Sequence, residues 1–329
     1  MIIIYTDLDN KLERQEMDIG SPIPSGAVLI DLHEPTAKEE QYISNILQIN
    51  IPTRAEMDKI EVMSPFYKDG NAHYMTVTVL DKSSKEDHPD STAVTFILTP
   101  EYLITLRYTT PWSFVNFIAR ATRGLHYYNS PETILSGILE SFINKTADVL
   151  EGAGNELDDL LKAIFEKSTK QEIISSKKYN SVIRKIGYTG NLISKNRESL
   201  VSINRLLIYF SQIEDNAKSA FRKEYKSKFK NLAREVHSLG EYGNFLSQRN
   251  GFLLDATLGM ISVEQNMIIK VFTVASAVFM PPTLIASIYG MNFLNMPELR
   301  LMFGYPMAIG MIMISALLPY FFFKKKKWL

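Results

Sequence analysis

The chain has 329 residues, no cysteine, and equal numbers of basic and acidic side chains, 36 of each. A formal net charge of zero argues against a general nucleic-acid binder, so no nucleic-acid partner is expected. Without cysteine there is no disulfide framework, thiolate metal site or cysteine nucleophile. The sequence also has no Walker phosphate loop, dinucleotide glycine fingerprint or His-Glu-x-x-His zinc motif, so an enzyme is not predicted.

The first 130 residues alternate between strand-like and helix-like patterns. Runs rich in β-branched and aromatic residues predict strands at 2–5, 27–32, 74–80, 92–98 and 102–108. Thr36 followed by Glu39, and Thr53 followed by Glu56, have the capping-box spacing that starts short helices. These patterns predict an α/β domain over residues 1–130.

A helical half follows, because residues 132–280 contain no proline. Ser130 and Pro131 supply an N-cap and a first-turn proline, and we predict antiparallel helices over residues 131–214. A third helix, residues 215–289, has no evident stop before its apolar end. At about 1.5 Å per residue it would extend roughly 110 Å, so it must be a stalk that packs against copies of itself.

Two apolar runs near the C-terminus are long enough to cross a bilayer. Residues 271–289 and 301–323 lack Asp, Glu, Lys, Arg and His, and about 20 such residues span the hydrocarbon core. We predict one membrane helix at about 268–289, a loop at 290–300 and a second membrane helix at 301–323. Because four lysines begin the tail 324–329, both termini are expected on the cytoplasmic side.

A stripe of small and polar residues recurs along the stalk at alternating steps of four and three. Its members, which we call the polar stripe, are Asp255, Gly259, Ser262, Asn266, Ile269, Thr273, Ser276, Met280, Thr283 and Ser287. A period of 3.5 keeps one seam of parallel helices facing a common axis. Spacing alone fits close helix packing and the lining of a pore equally well.

The residues after the first span carry a resemblance to a known family. The run MPPTLIASIYGMNF at 280–293, then MPEL at 296–299, FGYP at 303–306 and the lysine-rich tail ending in Trp328, resemble the CorA family of magnesium transporters. The similarity is tight from about residue 255 onward and looser at 31–35 and 103–108. The tripeptide Gly-Met-Asn is the family's selectivity filter.

The resemblance implies an α+β membrane protein of the inner membrane, a homopentameric funnel with cytoplasmic α/β domains. It implies a channel-like magnesium transporter, driven by the electrochemical gradient and gated by intracellular magnesium, which is both cargo and regulator. The family's filter carries onto Gly290, Met291 and Asn292. Its pore-lining positions carry onto Asn266, Ile269, Phe272, Met280, Thr283 and Ser287. Phe272 differs by one residue from Thr273 of the polar stripe.

Acidic residues outside the pore are candidates for attracting or sensing the ion. Five copies of Glu298 could concentrate cations at the mouth, although a solvated loop charge fits equally well. The family pairs a stalk aspartate, here Asp255, with an aspartate of the adjacent α/β domain. The aligned position is Met57, so its neighbours Glu56 and Asp58 are the candidate partners in a regulatory magnesium site.

Other functions also fit the sequence. Within the same superfamily, relatives with a variant filter move zinc, and magnesium channels of this type are expected to pass cobalt or nickel. From another class, the chain could be a membrane-anchored oligomeric sensor that conducts nothing. The intact Gly-Met-Asn filter and the polar stripe favour magnesium transport over both.

Overall fold

The computed structural model describes residues 1–8, 11–57, 65–81, 90–124, 128–165, 176–213, 221–292, 296–297, 302–326 and 328. The chain divides into two compact units, Met1–Leu254 and Asp255–Leu329. The first unit contains the strands and most of the helices, and the second contains the two long apolar segments.

The strands of the first unit form one mixed sheet. They are β1 Ile2–Leu8, β2 Lys11–Met17, β3 Ala27–His33, β4 Phe66–Asp69, β5 Ala72–Asp81, β6 Asp90–Leu98 and β7 Leu103–Arg107. Their order across the sheet is β2-β1-β3-β7-β6-β5-β4, with β3 and β7 parallel and the other neighbours antiparallel. Side chains of β1, β3, β5 and β7 supply much of the core.

All five predicted strands are present, and β2 and β4 are two further strands that the sequence pattern does not predict. These two are the edge strands of the sheet. β2 reads KLERQEM and buries only its second and last residues, so charged side chains hide its strand character. β4 has four residues, too few to show a period. Charged and short edge strands are common because they discourage pairing with other chains.

A buried ion pair joins the parallel strands β3 and β7. Arg107 donates from Nη2 to Oδ2 of Asp31 at 2.8 Å and from Nε to Oδ1 at 3.0 Å, and both side chains are almost fully buried. The guanidinium also lies 4.6 Å from the ring centroid of Phe114. Burial, followed by the charge of Arg107, holds the pKa of His33 below its ordinary value. Removing either partner would leave a buried charge uncompensated, which costs about 3–5 kcal/mol.

The described helices are α1 Ala37–Leu47, α2 Trp112–Ala121, α3 Pro131–Phe165, α4 Ser176–Ile213, α5 Phe221–Tyr289 and α6 Gly304–Lys325. The predicted starts of α1 and α3 are confirmed: Thr36 and Glu39 form a capping box, and α3 begins at Pro131. The sequence reading did not predict α2, which lies between the last strand and the long helices.

The acidic helix α3 is paired with basic side chains of α4 and α5. Glu156 accepts from Lys185 at 2.9 Å, and Glu140 lies 3.3 Å from Lys228. Asp158 pairs with Arg249 of α5. These partly exposed pairs each contribute little energy, and their main effect is to align the helices.

Both predicted membrane segments are continuous helix. The first is the apolar end of α5, which runs without a break to Tyr289 although Pro281 and Pro282 lie inside it. The second is α6, which begins three residues later than predicted and ends at Lys325. In the most apolar 18-residue stretch of each helix, only 6% is buried within the protein. Neither helix is therefore the core helix of a soluble domain. Their length and composition suit a bilayer.

Candidate functional site

The Gly-Met-Asn tripeptide forms the turn that ends α5. The N–H of Gly290 donates to the carbonyls of Ala286 at 2.9 Å and Ser287 at 3.2 Å, and the N–H of Met291 donates to the carbonyl of Ile288 at 3.3 Å. A Cβ atom at Gly290 would lie 3.2 Å from the carbonyl oxygen of Ala286, closer than side chains normally approach. Glycine therefore permits this turn, after which Met291 and Asn292 are exposed.

Hydroxyl groups within the first membrane segment lie on one face. Residues 271–289 contain four serines and threonines, Thr273, Ser276, Thr283 and Ser287, and all four belong to the polar stripe. At about 100° per residue they fall within an arc of roughly 80°. Their confinement to one arc gives the segment a single polar face, which suits the lining of a pore and close helix packing alike.

Two of these hydroxyls have a defined hydrogen-bonding direction. The Oγ1 of Thr283 donates to the carbonyl of Phe279 at 2.8 Å, and the Oγ1 of Thr273 donates to the carbonyl of Ile269 at 2.8 Å. A hydroxyl has one hydrogen to donate and two lone pairs that accept. Because the hydrogen is used within the helix, each oxygen presents only acceptor capacity to whatever passes along the face.

The apolar residues predicted to line the pore are strongly exposed in the single chain. Relative exposure is 61% for Ile269, 74% for Phe272 and 68% for Met280. Thr273 lies roughly 20° and Phe272 roughly 80° from the centre line of the polar stripe, on opposite sides of it, so both border the same face. The one-residue difference between the spacing and the family resemblance therefore does not move the predicted surface.

The opposite face of the same segment is partly covered. Val274 is 5% exposed, and Val278, Pro281, Ile285 and Tyr289 have intermediate exposure. At about 100° per residue this face lies roughly 160° from the predicted pore-lining residues. Within the second unit, α6 also buries its small residues Gly304 and Ala308. The polar stripe thus lies within the larger part of the helix surface that its own unit leaves exposed.

Of the predicted regulatory residues, the structure describes Asp255 and Glu56. Asp255 is exposed in the second unit, whereas the Glu56 carboxylate of the first unit accepts from the N–H and the hydroxyl of Thr53, both at 2.9 Å. The aligned Met57 is buried, and Asp58 and Glu298 lie outside the described residues. Within the described ranges, no three His, Asp or Glu side chains are grouped so that they could hold a metal ion.

One contact near this surface was not anticipated from the sequence. The Nζ atom of Lys270 lies 5.9 Å from the centroid of the Trp328 ring. Lys270 is the last charged residue before the first span and directly follows Ile269. Its position is readable from the sequence, but its aromatic partner is 58 residues away along the chain and could not be identified from spacing.

The chain matches one protein family and resembles several named proteins along nearly its whole length. A family profile described as "CorA-like Mg2+ transporter protein" matches residues 25–325. The chain is 32% identical over 321 residues to proteins named "Magnesium transport protein CorA" from Yersinia pseudotuberculosis and Escherichia coli, covering 98% of each chain. The structure titled as the complete CorA magnesium transporter of Methanocaldococcus jannaschii matches with a TM-score of 0.75. At 15% identity, covering 100% of this chain and 99% of that one, it shows a shared fold.

Proposed function

The chain belongs to the CorA family of magnesium transporters, and we propose that it carries Mg²⁺ along the polar stripe of α5. Members of this family are ion transporters and not enzymes. The observation that supports the path is the confinement of all four span hydroxyls to one open face that ends at the Gly-Met-Asn turn. Transport of the ion is the family's function, and the residues that perform it are our proposal.

A single α5 helix cannot enclose a path, so the stripe requires copies of the chain around an axis. We infer a homopentamer in the lipid bilayer, as the family resemblance implies. The inner membrane, with both termini cytoplasmic, suits the lysines that begin in the last turn of α6. In that assembly Asn266, Ile269, Phe272, Met280, Thr283 and Ser287 would form rings about the axis. Three apolar rings would lie between the polar ring of Asn266 and the polar rings of Thr283 and Ser287.

The filter chemistry follows from how magnesium is hydrated. Mg²⁺ gives up water reluctantly, and its bound waters point their hydrogens outward. The lining must therefore accept hydrogen bonds, which the amide oxygen of Asn292 and the acceptor oxygens of Thr283 and Thr273 can do. Neutral oxygens hold a hydrated cation without trapping it, and conduction needs binding that is weak enough for release.

The apolar members of the path provide places where it can close. Rings of Met280 and Phe272 would narrow the pore and, when close together, exclude water and with it the hydrated ion. Movement needs no other energy source, since a divalent cation entering across about 100 mV gains roughly 4.6 kcal/mol. The chain is thus a channel-like transporter driven by the electrochemical gradient.

Regulation by magnesium is a further part of the proposal. Asp255 carboxylates gathered near the axis repel one another unless a divalent cation lies between them, so bound Mg²⁺ would favour the closed state. Asp58 is the better partner for Asp255, because the Glu56 carboxylate already accepts two hydrogen bonds from Thr53 at the start of the helical turn 54–57. Glu298, beyond the filter, would add cation attraction at the mouth. Cobalt and nickel, similar in size and hydration, are expected as additional cargo.

The filter assignment is tested by Asn292→Ala in proteoliposomes that hold a Mg²⁺ indicator and an imposed membrane potential. We expect uptake of Mg²⁺ to fall at least about tenfold while assembly is unchanged, because the ring of acceptor oxygens is lost. Asn155→Ala, which removes an exposed amide on α3, is the matched control and should transport normally. Unchanged uptake in Asn292→Ala would remove the filter assignment. Zinc uptake exceeding magnesium uptake in the unmodified chain would favour the zinc alternative.

A further inference from the structure

Lysine side chains at the α6 end of the second unit lie over aromatic rings. The Nζ atom of Lys270 is 5.9 Å from the Trp328 ring centroid, that of Lys324 is 5.9 Å from Tyr320, and that of Lys326 is 5.4 Å from Phe322. Such contacts attract the ammonium to the negative face of the ring. Lys324 and Lys326 pair within their own helical segment, whereas Lys270 belongs to α5 and pairs with a residue beyond the end of α6.

The position of Trp328 is set by the end of α6. The N–H of Lys326 donates to the carbonyl of Phe322 at 3.1 Å, and the N–H of Trp328 donates to the carbonyl of Phe323, five residues earlier, at 3.1 Å. A bond over this interval turns the chain back at a helix end. The Trp328 ring also packs on Phe323, with ring centroids 5.5 Å apart. Backbone and ring contacts therefore hold the indole where the Lys270 side chain can reach it.

Lys270 presents a charge problem for a cation path. It directly follows Ile269 of the polar stripe, and its flexible four-carbon side chain can swing toward or away from that face. Lys270 itself projects roughly 80° from the centre line of the stripe. Repulsion between two positive charges rises as their separation falls, so the direction in which the ammonium points determines how strongly it opposes a passing Mg²⁺.

We propose that Trp328 is a positioning residue that holds the Lys270 ammonium off the cation path. The inference rests on the proposed route along the polar stripe. Trp328 does not touch the ion and acts only through the lysine. Without the indole, the Lys270 side chains of all copies are free to turn toward the path at its cytoplasmic end and raise the barrier to a divalent cation.

The test is a set of four variants of the full chain in proteoliposomes, with initial Mg²⁺ uptake as the readout. Trp328→Leu keeps apolar bulk but removes the aromatic face, and we expect uptake to fall about tenfold, the low end of the effect of local charge on ion encounter. Trp328→Phe keeps an aromatic face and should recover most of the uptake. Lys270→Gln should match or exceed the unmodified chain. The double variant Trp328→Leu/Lys270→Gln should be restored to the same level.

A purely structural role for Trp328 predicts the opposite pattern. The double variant would then be as slow as Trp328→Leu alone, and that result, or normal uptake in Trp328→Leu, would overturn the proposal. Raising monovalent salt should relieve Trp328→Leu but not a misfolded protein, because salt screens exposed charges. Failure of the proposed function is distinguishable, since it appears as absent Mg²⁺ uptake or an unaffected Asn292→Ala variant with Trp328 intact.

Discussion

At the scale of single residues, Gly290 shows how a motif follows from geometry. Its N–H makes two hydrogen bonds to the last turn of α5, and a Cβ atom there would lie 3.2 Å from the carbonyl oxygen that accepts one of them. Its backbone is not left-handed, so what an alanine here would require is that the carbonyl of Ala286 move by a few tenths of an ångström. In the proposed filter, Asn292 would supply the ligand chemistry and Gly290 would fix its position.

We predict that Gly290→Ala lowers Mg²⁺ uptake by roughly tenfold to a hundredfold, because the added methyl group displaces the turn and the amides that follow it. Misplacing a positioned group by about 1 Å can have effects of this size. Gly310→Ala in α6 is the matched control, since its Cβ would meet no atom within 4 Å. Normal uptake in Gly290→Ala would mean that the turn tolerates the methyl group and that the filter does not depend on its geometry.

At the scale of elements, α5 combines two surfaces with different partners. One face of its membrane segment is partly covered within the second unit, around Val274 and Ile285, and the opposite face bears the hydroxyls. Thr283 uses its hydrogen within the helix, which converts its hydroxyl into an acceptor on the open face.

Thr283→Val tests the acceptor role, because valine has nearly the shape of threonine without the oxygen. We expect uptake of Mg²⁺ to fall roughly fivefold, corresponding to about 1 kcal/mol for a lost hydrogen bond. Thr283→Ser keeps the oxygen and is the matched control, with uptake near that of the unmodified chain. Equal uptake in the valine and serine variants would show that hydrated Mg²⁺ does not use this oxygen.

At the scale of the whole molecule, the proposed mechanism depends on several copies of the chain acting together. The single chain leaves Ile269, Phe272 and Met280 more than 60% exposed, although these side chains are apolar. The same chain places Asp255 at the surface. Copies around an axis would cover the apolar side chains and gather the carboxylates, which links assembly, conduction and the sensing of magnesium to one helix face.

We predict that Mg²⁺ protects the stalk from trypsin and that Asp255→Asn removes this protection, because neutral amides no longer require a cation between them. The readout is the rate at which the full chain is cut with and without Mg²⁺. Asp148→Asn on α3, another exposed carboxylate, is the matched control and should retain protection. If the unmodified chain were cut equally fast under both conditions, the sensing part of the proposal would fail.

The polar stripe, the Gly-Met-Asn turn and the two membrane segments were all readable from the sequence. They depend on spacing within one helix or on the composition of one run, so local periodicity suffices to locate them. The five hydrophobic strands were predictable for the same reason. The charged edge strand β2 was not predictable. An edge strand is exposed to solvent on more than one side, so its apolar and polar residues do not alternate regularly.

Contacts between distant segments were decided only by the tertiary structure. The Asp31–Arg107 pair joins strands 76 residues apart, and Trp328 reaches Lys270 through a turn at the end of another helix. Glu56 was a candidate metal ligand by alignment, and the folded chain shows its carboxylate capping a helix. Sequence by itself determined which residues share a helix face, since helical geometry is local. The contacts between side chains that are distant in sequence depend on tertiary packing, because the same local sequence pattern is compatible with many different distant contacts.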